Sequence, residues 1–326
     1  MSAGASGVAL ERSLEALDLL AAERGLHLER DVPVGPLTTL RVGGPADRLL
    51  TPRTRDELLA ALSLARDAGV SPFVLGNGSD VVVADAGIRG LVVRNRARAI
   101  AIDPASDRSR LQVDSGTPMA LLVRRVASEA LAGLAFGISI PGSLGGAVWA
   151  NAGAHGGEIR NVLQEVEAWD PVTGAAAWLA AAACGLAYRE SRFKHSAEVI
   201  LAARLALRPG DAELIAAEIA AHQEQRRATQ PLADQNAGSV FRNPPGDHAG
   251  RLIEAAGGKG MRHGSASVSS LHANFIVADR GGSAADVRQL GDRLRAIVAE
   301  RFGVELDYEI DFVGDWTAPD PAGGRT

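Results

Sequence analysis

The chain has 326 residues, enough for two or three domains with substantial hydrophobic cores. Hydrophobic residues make up 46% of it and charged residues 22%, as in ordinary globular proteins, and the formal net charge is −5. This acidic balance argues against nucleic acid and an anionic membrane as partners, and the one cysteine, Cys184, excludes an internal disulfide.

No segment of the chain has the length and composition expected of a targeting or membrane-spanning sequence. Charged residues interrupt the first twenty positions, where a secretory signal would be apolar. The longest apolar run, Gly174–Ala187, is too short to cross a bilayer. We therefore expect a cytoplasmic protein, and we expect it to be a monomer.

Three helices are predicted by capping residues at their starts and glycines near their ends. They cover Leu58–Ala68, Met119–Leu131 and a long amphipathic segment that begins after Ser283 and ends at Gly303. A further helix over Ala212–Arg227 is expected to lead into the last domain.

Runs of β-type residues predict strands at Pro72–Leu75, Val81–Val83, Leu91–Val93, Leu111–Val113, Val199–Leu207 and Phe275–Ala278. The clearest strand pattern runs from Val304 to Phe312, where apolar and acidic residues alternate. It predicts one strand with an acidic face, from which one carboxylate could serve a catalytic site.

Strands and helices follow one another without a steady βαβ rhythm, so the predicted fold class is α+β rather than a doubly wound parallel sheet. Domain boundaries are expected near residues 100 and 210. The predicted segments are therefore 1–100, 101–210 and 211–316, followed by a disordered tail over 317–326 that is rich in proline and glycine.

Two small-residue loops are the main functional signal. Most positions from Gly142 to Gly157 are glycine or alanine, so backbone N–H groups can approach a ligand closely. Interleaved Ile, Leu, Val and Trp residues distinguish this loop from a flexible linker. The second run, Gly76–Asp80, could be a simple turn and does not match the dinucleotide fingerprint. Together the loops predict one extended phosphate-bearing or flavin ligand.

Two further segments carry candidate chemistry. Tyr188–Lys194 holds three cations, and Arg189, flanked by aromatic residues, is expected to bind a carboxylate or phosphate. Asn236–Pro244 contains Ser239, which could be a helix cap or a proton donor. No GxSxG elbow surrounds this serine, and the chain has no Walker, HExxH or CxxC motif, so hydrolase and zinc chemistry find no support and no metal is expected.

Taken in order, these motifs resemble one family, the UDP-N-acetylenolpyruvoylglucosamine reductases, over about 38–314. The matching segments are Thr38–Ala46, Gly76–Asp80, Ile140–Gly156, Tyr188–Lys194, Gly238–Pro244, Arg251–Gly257, His272–Phe275 and Leu306–Gly314. Each is weak alone, and their shared order carries the resemblance.

The resemblance implies an FAD-binding unit of the vanillyl-alcohol-oxidase type, made of two α+β subdomains, and a smaller C-terminal α+β substrate domain. It implies non-covalently bound FAD and NADPH as the reductant. The implied substrate is a UDP-sugar, UDP-N-acetylglucosamine-enolpyruvate, which is reduced to UDP-N-acetylmuramate for peptidoglycan and so for the bacterial cell wall.

The resemblance also implies roles for single residues. Arg189 would polarise the enolpyruvyl carboxylate, Ser239 would donate a proton, and Glu309 is the acid near the C-terminus that could supply the proton instead. The residues expected to bind the cofactor are Gly76, Asn77, Gly78, Ser79, Asp80, Ile140, Pro141, Gly142, Ser143, Gly145, Gly146, Asn151 and Gly153. Those expected to bind the substrate are Tyr188, Asn243, Arg226 and His272.

Some positions depart from the family pattern. The chain lacks the tyrosine-bearing insertion of one subclass and so resembles the shorter second subclass. Asp80 stands where the family usually has asparagine, which places a negative charge near a presumed diphosphate. Thr229 stands where lysine is common, so phosphate contact is expected from Arg226 or Arg227.

Two alternatives remain open. Another FAD-dependent alcohol or sugar oxidoreductase could use the same scaffold, and such an enzyme could attach the flavin covalently to His155. A non-catalytic sugar-nucleotide binder could also have kept the fold, although the presence of Arg189, Ser239 and Glu309 argues against it.

Overall fold

A computed structural model describes residues 3–103 and 109–317. Its α-helices are α1 (Ala3–Glu23), α2 (Arg55–Asp67), α3 (Met119–Ser128), α4 (Leu144–Trp149), α5 (Ala212–Thr229), α6 (Ala249–Ala255) and α7 (Ala284–Phe302). Within the described ranges, none of these helices combines the length and the apolar character that crossing a bilayer would demand.

The strands are β1 (Glu29–Pro33), β2 (Pro45–Leu50), β3 (Phe73–Leu75), β4 (Val81–Val83), β5 (Ile88–Arg94), β6 (Ile100–Asp103), β7 (Ser109–Asp114), β8 (Leu131–Ala132), β9 (Gly153–Ala154), β10 (Gly157–Glu158), β11 (Leu163–Trp169), β12 (Ala176–Ala180), β13 (Val199–Pro209), β14 (Gln235–Asn236), β15 (Arg262–His263), β16 (Ala266–Val268), β17 (Ile276–Ala278) and β18 (Asp311–Val313). The mixture of helices with mainly antiparallel sheets confirms the predicted α+β class.

The chain forms two compact units, each discontinuous in sequence. Unit 1 contains Met1–Arg30, Arg48–Asn77 and Gly90–Glu224; unit 2 contains Asp31–Asp47, Gly78–Arg89 and Gln225–Thr326. The consecutive segments 1–100, 101–210 and 211–316 differ from this division and stay a prediction. Apart from Thr317, the expected tail over 317–326 lies outside the described residues.

Unit 1 contains two hydrophobic cores. One lies around α1 and α2, where Leu58, Leu62 and Ala65 recur at helical spacing and are fully buried. The other lies against an antiparallel sheet with strand order β12-β11-β13-β7-β6, in which Val113 and Val166 both pair with Ala203 of the central strand. Since these residues share one face, helices α3 and α4 pack on it.

Unit 2 has one core under an antiparallel sheet with strand order β14-β17-β16-β15. Helix α7 covers it with Val287, Leu290 and Leu294, which are buried. Leu40 and Val82 are buried in the same core. Their burial explains why the segments 31–47 and 78–89 belong to this unit rather than to the preceding residues.

The first turn of α7 is held by two side chains. Ser283 Oγ accepts from the Ala285 N–H at 3.0 Å. The Asp85 carboxylate accepts from Ser283 Oγ at 2.7 Å and from the N–H groups of Ala284 and Ala285, both at 2.9 Å. A carboxylate at this end also opposes the positive end of the helix dipole. Asp85 therefore attaches the loop after β4 to the helix that covers the core.

The predicted helix ends are mostly correct. Helices α2, α5 and α7 lie within a few residues of their predicted ranges, and α7 ends at Gly303, whose φ is +66°. Helix α3 ends at Ser128 rather than Leu131, because Ala130 adopts a φ of +52° and Leu131 begins strand β8.

The continuous strand predicted over Val304–Phe312 is wrong in extent. This segment changes partner along its length: Tyr308 forms an isolated antiparallel bridge with Phe241, and only β18 then pairs in parallel with β4. The alternation nevertheless tracks burial, since Leu306 and Ile310 are buried.

We expect Asp85→Ala to lower the free energy of unfolding by about 1–3 kcal/mol, because three donors at the start of α7 lose a charged acceptor. Chemical denaturation of the ligand-free protein measures this loss. Glu305→Ala is the control, since Glu305 is exposed. Equal effects of the two substitutions would contradict the capping role.

Candidate active site

In unit 1, the side chain of Asn77 joins the two glycine-containing loops. Its Nδ2 donates to the carbonyl oxygens of Pro141 (3.2 Å) and Gly142 (3.1 Å). Arg96 Nη1 in turn donates to Asn77 Oδ1 at 3.1 Å. One amide, whose orientation is set by Arg96, therefore holds the beginning of the Gly76–Asp80 loop against the Ile140–Gly157 loop.

The glycines of these loops serve two different purposes. A Cβ on Gly76 would overlap Ser143 Oγ, one on Gly145 would lie 2.9 Å from the Ser115 side chain, and one on Gly153 would lie 2.6 Å from a carbonyl oxygen. At these three positions glycine is required by packing of the protein itself. Gly146 differs, because the nearest atom to its Cβ position is 3.8 Å away and the residue is exposed. Gly146 therefore leaves room for a ligand.

Asn151, predicted to bind the cofactor, is fully buried and has a φ of +41°. Its Nδ2 donates to Glu158 Oε2 at 2.8 Å and to the Ala187 carbonyl at 2.7 Å, and its Oδ1 accepts from the Arg160 N–H at 3.0 Å. In this arrangement its side chain supports the turn that carries Arg189.

Arg189 lies at the tip of that turn. Ala187 and Glu190 exchange two backbone hydrogen bonds of 3.1 Å, and Arg189 between them has a φ of +54°. Its Nη2 donates to the Gly153 carbonyl at 3.0 Å, and its guanidinium lies 5.2 Å from the ring centroid of half-exposed Tyr188. These contacts fix the orientation of the guanidinium beside the Ile140–Gly157 loop.

His155 has contacts of its own in unit 1. Its Nε2 shares a hydrogen bond of 2.8 Å with Ser139 Oγ, and its ring stacks on His222 with a centroid distance of 3.9 Å. Both contacts are within unit 1 and fix the orientation of the imidazole ring.

In unit 2, Ser239 and Glu309 lie on paired segments. The Glu309 N–H donates to the Val240 carbonyl at 2.8 Å, and the Arg242 N–H donates to the Asp307 carbonyl at 2.9 Å. Between these bonds the rings of Phe241 and Tyr308 stack with centroids 4.9 Å apart. Residues 240–242 thus run antiparallel to residues 307–309, which brings the serine segment and the acidic segment together.

The serine segment also contacts the Gly76–Asp80 loop within unit 2. Thr39 donates its N–H to the Gly78 carbonyl at 2.9 Å and its Oγ1 to the Asn236 carbonyl at 2.7 Å. The carbonyl oxygen of Ser79 is 3.8 Å from the position of a Cβ on Gly238, and the Asp80 carbonyl accepts from the Asp311 N–H at 3.0 Å. Thr39 therefore links the loop to the residues just before Ser239.

An open pocket of about 390 Å³ lies in unit 2 and is lined in part by Ser239, Asn243, Arg251, Glu254 and His272. Burial and the Lys259 ammonium lower the pKa of His272. Because His272 Nδ1 accepts from the Asn274 N–H at 3.2 Å, the neutral ring carries its proton on Nε2. The pocket thus brings together the predicted proton donor and two of the predicted substrate ligands.

The other predicted substrate ligands lie elsewhere. Arg226 is on α5, where its Nε donates to Gln230 Oε1 at 3.0 Å and burial lowers its pKa. Tyr188 belongs to unit 1 with Arg189.

Sequence reasoning assigned no role to Thr39, Arg96 or Asn274. Thr39 and Asn274 were quoted only as members of the segments Thr38–Ala46 and His272–Phe275. The signal that could have found them is the presence of a polar residue within an otherwise apolar or small-residue motif, because a buried polar side chain needs partners.

Two family models match separate stretches of the chain. A family model described as "UDP-N-acetylenolpyruvoylglucosamine reductase, C-terminal domain" matches residues 230–313. A second, described as "FAD binding domain", matches residues 46–179 and confirms the predicted FAD-binding unit.

Curated relatives match over almost the full length. UDP-N-acetylenolpyruvoylglucosamine reductase 2 of Symbiobacterium thermophilum is 42% identical over 296 residues, which are 90% of this chain and 95% of the relative. The reductase of Anaeromyxobacter dehalogenans is 43% identical over 300 residues, or 92% of this chain and 89% of the relative.

A solved structure shares the fold as well. The crystal structure of UDP-N-acetylenolpyruvylglucosamine reductase from Thermus caldophilus aligns with a TM-score of 0.74 at 34% identity, covering 88% of this chain and 99% of that one. The chain belongs to the UDP-N-acetylenolpyruvoylglucosamine reductase family, as the order of its motifs predicted.

Proposed function

We propose that this chain reduces the enolpyruvyl group of UDP-N-acetylglucosamine-enolpyruvate to UDP-N-acetylmuramate, a peptidoglycan precursor, with FAD as its cofactor and NADPH as the reductant. Membership of the reductase family supports the overall reaction. The single observation that carries the assignment of residues is the antiparallel pairing of residues 240–242 with residues 307–309, which sets Ser239 beside the segment of Glu309.

The residues of unit 1 fit FAD as the ligand of the two loops. Gly146 presents an open, exposed backbone position, and Asn77 holds the loops in register. A diphosphate needs backbone N–H groups and little side-chain bulk, which this arrangement supplies. When bound, FAD supplies the hydride that adds to C3 of the enolpyruvyl group.

Arg189 would bind the enolpyruvyl carboxylate. Hydride addition at C3 leaves negative charge at C2, next to that carboxylate, and a guanidinium already oriented by Gly153 stabilises this charge as it develops. A planar guanidinium also grips a carboxylate through two N–H groups, which fixes the carbon that must receive the proton.

Ser239 would protonate C2. A serine hydroxyl is a weak acid, so it donates effectively only if it is held close to the carbon and if charge nearby favours transfer. The pairing with residues 307–309 would fix the position of the serine segment, and Glu309, which lies opposite Val240 in this pairing, could supply the proton instead.

The nucleotide part of the substrate would occupy the pocket in unit 2. Asn243 and His272 line it, and the Nε2 proton of His272 makes that ring a hydrogen-bond donor for an anionic or carbonyl oxygen. Arg226 and Tyr188 would contribute further contacts to the UDP-sugar. We also propose that the protein is a cytoplasmic monomer, in keeping with its single, buried cysteine.

Gly146→Ala should lower the affinity for FAD by about tenfold or more, which corresponds to roughly 1.4 kcal/mol or more, because its methyl group would occupy ligand space. The stability of the FAD-free protein should hold or rise slightly, since alanine favours the helix. Titration of FAD fluorescence and thermal unfolding without FAD measure the two quantities.

Gly145→Ala is the matched comparison for that variant. Its Cβ would press on Ser115, so it should destabilise the FAD-free protein as well. If Gly146→Ala binds FAD as tightly as the parent, the open position does not face the cofactor.

Ser239→Ala should reduce turnover by roughly 100-fold or more, the usual contribution of a positioned general acid, while NADPH still bleaches the bound flavin at the parent rate. Stopped-flow absorbance separates the two steps. Ser267→Ala, on strand β16, is the control serine. Turnover that survives in Ser239→Ala would show that another group donates the proton.

Asp80→Asn should bind FAD a few-fold more tightly at low salt, because a negative charge near the diphosphate is removed while the backbone bond to Asp311 remains. The gain should shrink as salt rises, since screening weakens the repulsion in the parent. Unchanged affinity would indicate that Asp80 contacts ribose hydroxyls or lies away from the diphosphate.

A further inference from the structure

Asn274 is a buried residue that holds the backbone on which Ser239 is carried. Only 4% of it is exposed. Its carbonyl accepts from the Val240 N–H at 2.8 Å, its Oδ1 accepts from the Phe241 N–H at 3.0 Å, and its Nδ2 donates to the Phe241 carbonyl at 2.8 Å. Three hydrogen bonds therefore join one asparagine to the two residues that follow Ser239.

The geometry of the neighbouring strand explains why this asparagine is needed. Phe241 and Tyr308 form an antiparallel bridge whose hydrogen bonds are made by the flanking residues Val240, Arg242 and their partners. The N–H and C=O of Phe241 therefore point away from the 307–309 segment. Since Phe241 is fully buried, water cannot satisfy these groups, and the side-chain amide of Asn274 does so instead.

Asn274 also contacts a second residue that lines the pocket. Its N–H donates to His272 Nδ1, and both Ser239 and His272 line that pocket. One residue thus sets the position of the serine segment and the tautomer of the histidine. A carboxamide is suited to this task, because its NH2 group and its carbonyl oxygen lie in one plane and can bond to a backbone C=O and N–H at the same time.

We propose that Asn274 is a positioning residue for proton donation by Ser239, an inference that rests on the proposed function. Asn274 is also one of the residues that line the pocket, but the role proposed here is exerted through its hydrogen bonds to Val240 and Phe241. Its side chain fixes the backbone of Phe241, and through Val240 this fixes the direction of the Ser239 hydroxyl. Displacement of a reacting group by about 1 Å can cost roughly 100-fold in rate, so loss of this support should be measurable.

The test uses the FAD-loaded enzyme with Asn274→Ala. Reduction of the flavin by NADPH should keep the parent rate and KM, because Ser239 has no part in it. Reoxidation of the flavin by the enolpyruvyl substrate should slow by roughly 100-fold. Asn274→Asp keeps the acceptor for the Phe241 N–H and loses the donor, so it should slow the same step selectively and serves if the alanine variant fails to fold.

Val298→Ala is the control for general destabilisation. Val298 is fully buried in the same core, near the C-terminal end of α7. It should lower the unfolding temperature with both flavin half-reactions preserved. If Asn274→Ala slows the two half-reactions equally, or slows neither, the positioning role is overturned.

A double-mutant cycle with Ser239→Ala separates this proposal from the proposed function. If Asn274 acts through Ser239, the double variant should reoxidise no more slowly than Ser239→Ala alone. Additive losses would overturn the positioning role while leaving Ser239 as the donor. A Ser239→Ala variant that reoxidises at the parent rate would overturn both assignments.

Discussion

Residues 237–243, which carry Ser239, lie outside the described strands, so their buried backbone polar groups must find partners elsewhere. Residues 307–309 satisfy one side of this segment and Asn274 satisfies the other. A buried N–H or C=O without a partner costs free energy comparable to a lost hydrogen bond, which makes any other position of the segment unfavourable. The position of the hydroxyl is therefore a consequence of backbone satisfaction, and the stacked rings of Phe241 and Tyr308 add packing to the same pairing.

The need to pair backbone polar groups also shapes the loops of unit 1. There, amide side chains supply the hydrogen-bond partners that a neighbouring strand supplies in a sheet. Asn77 satisfies two carbonyl groups of the neighbouring loop, and Asn151 satisfies one carbonyl and one N–H around the arginine turn. Glycines such as Gly76 allow the close approach that these bonds require. A glycine-rich motif is thus partly a packing motif, and Gly146 differs from its neighbours because the nearest atom to its Cβ position, Ser143 Oγ, is 3.8 Å away.

The sequence predicted those features that depend on neighbouring residues. Helix α7 was predictable because Ser283 and Gly303 mark its ends within the helix itself. The extent of the last strand was not predictable from the sequence. The segment pairs first with Phe241 and then with β4, and a change of partner leaves no signal in the neighbouring residues. Asn274 was missed for a similar reason: Phe241 lies 33 positions away, so its role is visible only once the fold brings them together. The resemblance to a family identified Ser239 and Glu309, but it did not say what holds them.

Thr39 links Gly78 of the first small-residue loop to the residues that precede Ser239, the proposed proton donor. Thr39 bonds to Gly78 on one side and to Asn236 on the other, and Asn236 Oδ1 accepts from the Gly238 N–H at 3.0 Å. The path from Gly78 to Gly238, the residue before Ser239, therefore consists of short hydrogen bonds within unit 2. Hydride and proton must arrive at adjacent carbons of one substrate, so the distance between their sources has to be reproducible. A hydrogen-bonded path within one unit, made by the backbone and by the short side chains of Thr39 and Asn236, would keep the proposed donor at a constant position relative to Gly78.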